Sequence, residues 1–163
     1  MTARDLRFIL AIGSSLLERN RNWGERGMKG SLATIGRLVD ATNQHDLEAL
    51  VGCFSEDYEN ETPGHPARGF RGQAQVRRNW EQIFTFVPDI HVEVVRSAVD
   101  ADTAWTEWEM RGTRRDGKSH WMRGVIVFGV SDDAIRWARF YLEPVDDGDA
   151  TADDAIRQQM VRQ

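Results

Sequence analysis

Tyr58 and Asn60 set a phenol and a carboxamide two residues apart in the segment Tyr58-Glu59-Asn60. In an extended chain, residues i and i+2 point to the same side. The pair could therefore form one hydrogen-bonding edge that a functional site uses. The competing reading is two polar residues on an edge strand, because so short a spacing recurs by chance. His120 adds an imidazole, the side chain whose charge changes near neutrality and so suits acid–base work. Its alternative is a hydrogen-bonded residue at a cavity rim. His65 lies in the turn-rich run Pro63-Gly64-His65-Pro66, and loops carry function, although an exposed loop histidine is usually inert. Tyr58, Asn60 and His120 are thus the candidate catalytic set. The four histidines His45, His65, His91 and His120 show no metal-ligand spacing, and no C-x-x-C occurs. There is no phosphate-cradling glycine motif and no serine nucleophile elbow. No metal or cofactor is expected.

Composition narrows the setting for this chemistry. A chain of 163 residues favours one domain and can bury a core without metal or disulfide. A charged fraction of 29% and a net charge of −5 fit a globular protein rather than a disordered one. They argue against nucleic acid, which needs a concentrated basic face. The single Cys53 sits in the apolar run Leu50-Val51-Gly52-Cys53-Phe54 and reads as a small core residue. No apolar run approaches the roughly 20 residues of a membrane span. The N-terminal run Leu6 to Gly13 is a weak signal-like stretch, interrupted by Arg7 and lacking an A-x-A site. A cytoplasmic location, away from membranes, is the expectation.

The elements that would position the candidate residues follow from periodicity. Residues 1–30 read as an extension, a short amphipathic helix and a glycine-bearing linker. A domain over 31–145 follows. Ile35, Leu38 and Val39 recur at helical spacing, and Leu47, Leu50, Val51 and Phe54 share one face of a second helix. An extended piece, 58–62, leads into a Pro/Gly loop. A third helix over Gln73–Phe86 carries Val76, Trp80, Ile83 and Phe84 on one side, and Pro88 ends it. Four period-2 segments then follow, 90–99, 104–113, 119–130 and 135–145, with Arg115-Asp116-Gly117-Lys118 as a hairpin turn. Residues 146–163 read as an acidic linker and a short helix. Helices first and a strand meander after make an α+β layout.

Several short patterns coincide in order. Phe54-Ser55-Glu56-Asp57-Tyr58 precedes Pro63-Gly64, and Gly69-Phe70-Arg71-Gly72 opens a helix. Val87-Pro88-Asp89-Ile90 follows, and Ala134-Ile135-Arg136-Trp137-Ala138-Arg139-Phe140-Tyr141-Leu142-Glu143-Pro144 closes the domain. Over about 31–145 the chain resembles the SnoaL-like group of the NTF2-like superfamily, which includes polyketide cyclases and limonene-1,2-epoxide hydrolase. The resemblance implies a cone, with three N-terminal helices packed on a strongly curved, mostly antiparallel sheet whose inner face lines a pocket. It also implies that Tyr58 and Asn60 stand where the epoxide hydrolase holds its attacking water. Of the Asp–Arg–Asp set that completes such a site, the Arg would fall on Trp108 and the two Asp on Met110 and Phe140, all apolar. A carboxylate base cannot be replaced by an indole, a thioether or a phenyl ring. The position of the ketosteroid isomerase base is occupied by Thr62.

Alternation along the strands then sorts the side chains. Ala104, Thr106, Trp108, Met110, His120, Met122, Gly124, Ile126, Ala138 and Phe140 would face the cavity. Trp105, Glu107, Glu109, Trp121, Arg123, Val125, Val127, Trp137, Arg139 and Tyr141 would lie outside. The expected pocket lining is Trp108, Met110, Met122, Ile126 and Phe140, with Trp80 from the third helix and His65 from the loop. An apolar wall favours a hydrophobic, polyketide- or terpenoid-like ligand. Aromatics beside paired charges on the outer face suggest a homodimer through that surface. Three readings stay open: a ligand-binding protein, a cofactor-free cyclase, isomerase or hydrolase using Tyr58, Asn60 and His120, and a non-catalytic interaction module.

Overall fold

The computed structural model describes residues 30–146, 148–149 and 151–161. The expected extension, with its short amphipathic helix, lies outside the described residues apart from Gly30.

The first helix, α1, covers 30–43. Its buried residues Ser31, Thr34, Ile35, Leu38, Ala41 and Thr42 recur at three- and four-residue spacing, so one face meets the core. Thr42 satisfies its buried hydroxyl by donating to the Leu38 carbonyl at 2.7 Å. Asn43 then behaves like a piece of strand. Its amide donates to the Val92 carbonyl at 3.0 Å, and its carbonyl accepts from the Val92 N–H at 2.8 Å. Three residues, 44–46, separate α1 from α2, Leu47–Val51. Asp46 caps α2 by accepting from the Ala49 N–H at 3.0 Å, which satisfies one of the orphan donors of the first turn. Strand β1, Phe54–Glu61, a 3₁₀ turn at Pro66–Arg68 and the short strand β2, Phe70–Arg71, lead into α3, Gln73–Phe86. The side-chain amide of Gln73 ties α3 down by donating to the carbonyls of Val51 and Phe54 at 3.0 and 2.8 Å.

Four long strands follow: β3 His91–Asp100, β4 Thr103–Thr113, β5 Ser119–Ser131 and β6 Ala134–Pro144. A final helix, α4, spans Ala152–Val161. The expected antiparallel meander forms, with sheet order β2-β1-β6-β5-β4-β3. The extended piece goes further than the alternation predicted. It begins at Phe54 and joins the sheet as the parallel neighbour of β6, with Asn60 opposite Ala138. The sheet is therefore mixed and unclosed, in an α+β fold with three helices ahead of the meander and one after it.

Register decides which side chains meet. Trp108 lies opposite Gly124, Met110 opposite Met122, and Ile126 opposite Phe140. The two faces separate as the alternation predicts: Ala104, Thr106, Trp108 and Met110 are buried, while Trp105 between them is 45% exposed. Irregularities between Val94 and Arg96, and between Gly129 and Val130, are the kind of bulge that bends a strand and tightens its twist. Asp132 and Asp133 make the β5–β6 turn with φ of 52° and 56°, the positive pair that suits a two-residue hairpin. At Gly124, φ is +155°, and a Cβ would collide with the Tyr141 carbonyl oxygen and the Leu142 Cα. The close approach of β5 to β6 therefore requires glycine there.

Candidate functional site

Strand β1 supplies one wall of the cone. Tyr58 and Asn60 point inward, 1% and 8% exposed. The Tyr58 hydroxyl donates to Asn60 Oδ1 at 3.1 Å, and Asn60 Nδ2 donates to Thr62 Oγ1 at 3.4 Å. Three residues at i, i+2 and i+4 thus form a short polar ladder on one side of the strand. The Tyr58 ring is wedged edge-on between Phe54, 4.8 Å away between centroids, and Phe70, 5.9 Å away. Burial pushes the Tyr58 phenol well above its ordinary pKa of 10. It is a fixed O–H donor at neutral pH, not a base.

The ladder edges a cavity of about 270 Å³. Helix α3 contributes Val76, Asn79, Trp80 and Ile83; strand β1 and the residue after it contribute Phe54, Tyr58, Asn60 and Thr62. Arg68 and Phe70 come from the β1–β2 connection and β2, and Met122, Phe140 and Leu142 from β5 and β6. The volume is small for a ligand site, yet walls from five separate elements converge on it. A larger depression of about 680 Å³ lies along α3, lined by Asn79, Glu81, Gln82, Ile83, Thr85 and Phe86. Among the described residues a single helix makes its whole wall, so it lacks converging groups.

The sequence-predicted lining divides into two sets. Met122, Phe140 and Trp80 stand in the cavity wall. Trp108, Met110 and Ile126 lie deeper, inside the continuous core. Trp108 is held there by its indole N–H, which donates to Thr106 Oγ1 at 2.6 Å; Thr106 in turn donates to the Ile126 carbonyl at 2.7 Å. A buried indole needs such a partner, and Thr106 supplies it without opening a path to the cavity. His65 stands outside this wall. Its Nε2 lies 3.3 Å from Glu143 Oε1, joining the β1–β2 loop to the end of β6. His120 also stands outside it, half-buried and opposite Gly112 at the hairpin end of β4 and β5. Desolvation first, and then the charge of Arg114, hold its pKa below the ordinary histidine value, so it is neutral at pH 7. The structure brings Tyr58 and Asn60 together and leaves His120 apart from them.

Periodicity did not single out Thr62, Asn79, Leu142 or Arg68. Thr62 continues the alternation of Tyr58 and Asn60, and Asn79 stands one helical turn from Val76 and from Ile83, so both carried a usable signal. Arg68 lies in irregular backbone, where no period assigns a direction. Among the described residues, no three His, Cys, Asp or Glu side chains converge as a metal site.

With this geometry in place, the model of the SnoaL-like domain family matches residues 35–139. The chain belongs to that family. Solved structures similar to this SnoaL-like domain share its NTF2-like fold. An LEH-like epoxide hydrolase of M. tuberculosis is 17% identical, covering 71% of this chain and 84% of its own, with a TM-score of 0.62. A protein from Bacillus subtilis classed as an isomerase is 16% identical over 72% of this chain and 89% of its own, at 0.65. One from Jannaschia sp. CCS1 classed as a SnoaL-like polyketide cyclase is 16% identical over 71% and 86%, at 0.61. No protein with a curated description matches the sequence. At these identities the likeness is one of fold.

The outer face of the sheet pairs its charges. Glu109 meets Arg111 and, at 3.1 Å, Arg123. Arg139 pairs with Glu61 of β1, while Glu107 lies 3.9 Å from Arg96 of β3. The Arg111 guanidinium covers the Trp121 ring at 4.5 Å. Trp105, Val125 and Tyr141 remain exposed on that face. No helix among the described residues is long and apolar enough to cross a membrane.

Proposed function

We propose that this SnoaL-like domain binds a compact hydrophobic molecule in the cone cavity and orients it along the Tyr58–Asn60–Thr62 ladder, without a cofactor. The observation that carries this reading is the wall itself. Eight of its thirteen residues are apolar, and the remainder include one hydrogen-bonded polar edge. Apolar walls supply affinity, and a few placed polar groups supply orientation. At close-packed density a cavity of about 270 Å³ accommodates roughly a dozen non-hydrogen atoms, the size of a monocyclic terpenoid or a short aromatic.

Turnover in the same cavity is the second reading, favoured by the Tyr58–Asn60 hydrogen bond. A committed donor and an oriented amide can hold a water or a carbonyl oxygen in place. Among the described residues the wall supplies no carboxylate or imidazole to move a proton, so such catalysis would rest on polarisation and positioning. His120 would take part only after a rearrangement that brings it to the cavity.

The test is calorimetric titration with a neutral monoterpene ketone such as carvone, on the wild type and on Ile83→Trp. The larger side chain fills the wall from a half-buried position, and thermal unfolding checks that the variant stays folded. Saturable binding that is lost in Ile83→Trp is expected. Undiminished binding in that variant, or none in the wild type, would count against the cavity as the site.

A further inference from the structure

We infer that the natural ligand of this cavity is an anion, specifically a hydrophobic monocarboxylate whose charged end is received by Arg68. This rests on the cavity being the ligand site and adds the chemical class of what enters it. Among the described residues, Arg68 is the one charged side chain in the wall, and no carboxylate accompanies it there. Acids of β1 and β6 are engaged elsewhere. Glu59 pairs with Arg71 at 2.8 Å, Glu61 with Arg139, and Glu143 with His65 at 3.3 Å. No carboxylate among the described residues lies within ion-pair distance of the Arg68 guanidinium. Its planar fork is therefore available to an incoming group, and a carboxylate matches that fork with two parallel hydrogen bonds.

The neutral polar groups point the same way. Asn60 Oδ1 already accepts from Tyr58, and Asn79 Oδ1 already accepts from Gln75 Nε2 at 2.7 Å. Each amide accordingly keeps at least one N–H hydrogen to offer an acceptor, alongside the second lone pair of its oxygen. A polar edge made of an arginine and amide donors selects a ligand end that only accepts. A cationic ligand would meet the positive charge of Arg68. The apolar body would lie between Trp80 and Ile83 on one side and Phe140 and Leu142 on the other.

The test compares cinnamate with cinnamamide, and decanoate with decanamide, by calorimetry on the wild type, Arg68→Gln and Arg68→Lys. Each pair keeps the shape and removes the charge. The acids are expected to bind roughly tenfold tighter than their amides at about 0.1 M salt, a margin that narrows as salt rises. In Arg68→Gln the margin disappears, and Arg68→Lys retains part of it. Amides that bind as tightly as the acids, or a margin that survives in Arg68→Gln, would overturn the anion assignment and leave the cavity reading standing. Failure of all four compounds to bind the wild type would overturn both.

Discussion

At the scale of single residues, the site depends on one hydrogen bond between groups removed from water. Tyr58 buries its hydroxyl and gives its proton to Asn60. Removing the acceptor is worse than removing the pair, because the donor then stays buried and unsatisfied. Asn60→Ala is expected to lower stability by about 1–3 kcal/mol, measured by urea unfolding; an unchanged midpoint would show that water replaces the lost partner. The phenol also makes stability depend on alkaline pH. Its folded pKa is raised above the unfolded value of 10, so the stabilisation is complete below pH 10. It falls as the pH climbs past that value, where the unfolded chain sheds the proton first. The urea midpoint of the wild type is expected to fall between pH 10 and 11, and Tyr58→Phe to flatten that part of the profile. A wild-type profile no steeper than the variant's would refute the assignment. Tyr58-Glu59-Asn60 was legible as a pair because alternation alone sends both side chains to one side. That Asn60 would be the acceptor, with its amide passed on to Thr62, depended on rotamers that no spacing encodes.

At the scale of elements, the strand meander and α3 were readable because each carries a long periodic signal. Hydrophobic alternation over 104–113 and 119–130 fixed the faces, and the turn at Asp116-Gly117 fixed the register that put Met110 opposite Met122. The parallel addition of β1 to β6 was not readable. Its polar residues Ser55, Glu56 and Asp57 dilute the alternation, and its partner lies some 80 residues away. Curvature is likewise an element property, set by bulges and by the glycine that lets β5 press on β6. Gly124→Ala is expected to cost roughly 1–3 kcal/mol or more through backbone collision, and to disturb the cavity wall formed by Met122 and Leu142. Thermal unfolding and ligand affinity together check this; a variant as stable as the wild type would mean that the strands can separate without penalty. The division of the predicted lining is an element-scale result too. Trp108, Met110 and Ile126 share a face with Met122 and Phe140. Met110 lies directly opposite Met122 and Ile126 directly opposite Phe140, so the division runs across the strands, and the member of each pair on the β3 side fills the core.

At the scale of the whole molecule, the outer sheet face is the second feature calling for a partner. We propose that two copies associate through it, since Trp105, Val125 and Tyr141 are exposed beside paired charges, the mixture common to interface cores and rims. Sedimentation equilibrium is expected to give twice the 18.6 kDa chain mass, and Trp105→Glu with Tyr141→Glu to return the monomer. A wild-type monomer at micromolar concentration would dismiss this face as an interface. The sequence by itself determined the fold class, the order of helices and strands, the two faces of the meander and the apolar character of the inner one. Periodicity and turn chemistry are local, and they survive without knowledge of the rest of the chain. Only the tertiary structure decided which inward residues bound a cavity and which fill the core, that His120 and His65 lie away from Tyr58, and that Arg68 reaches the wall. Those outcomes depend on where bulges bend the sheet, how far α3 covers it, and which ion pairs consume the neighbouring charges. Each of these is a relation between segments distant in sequence.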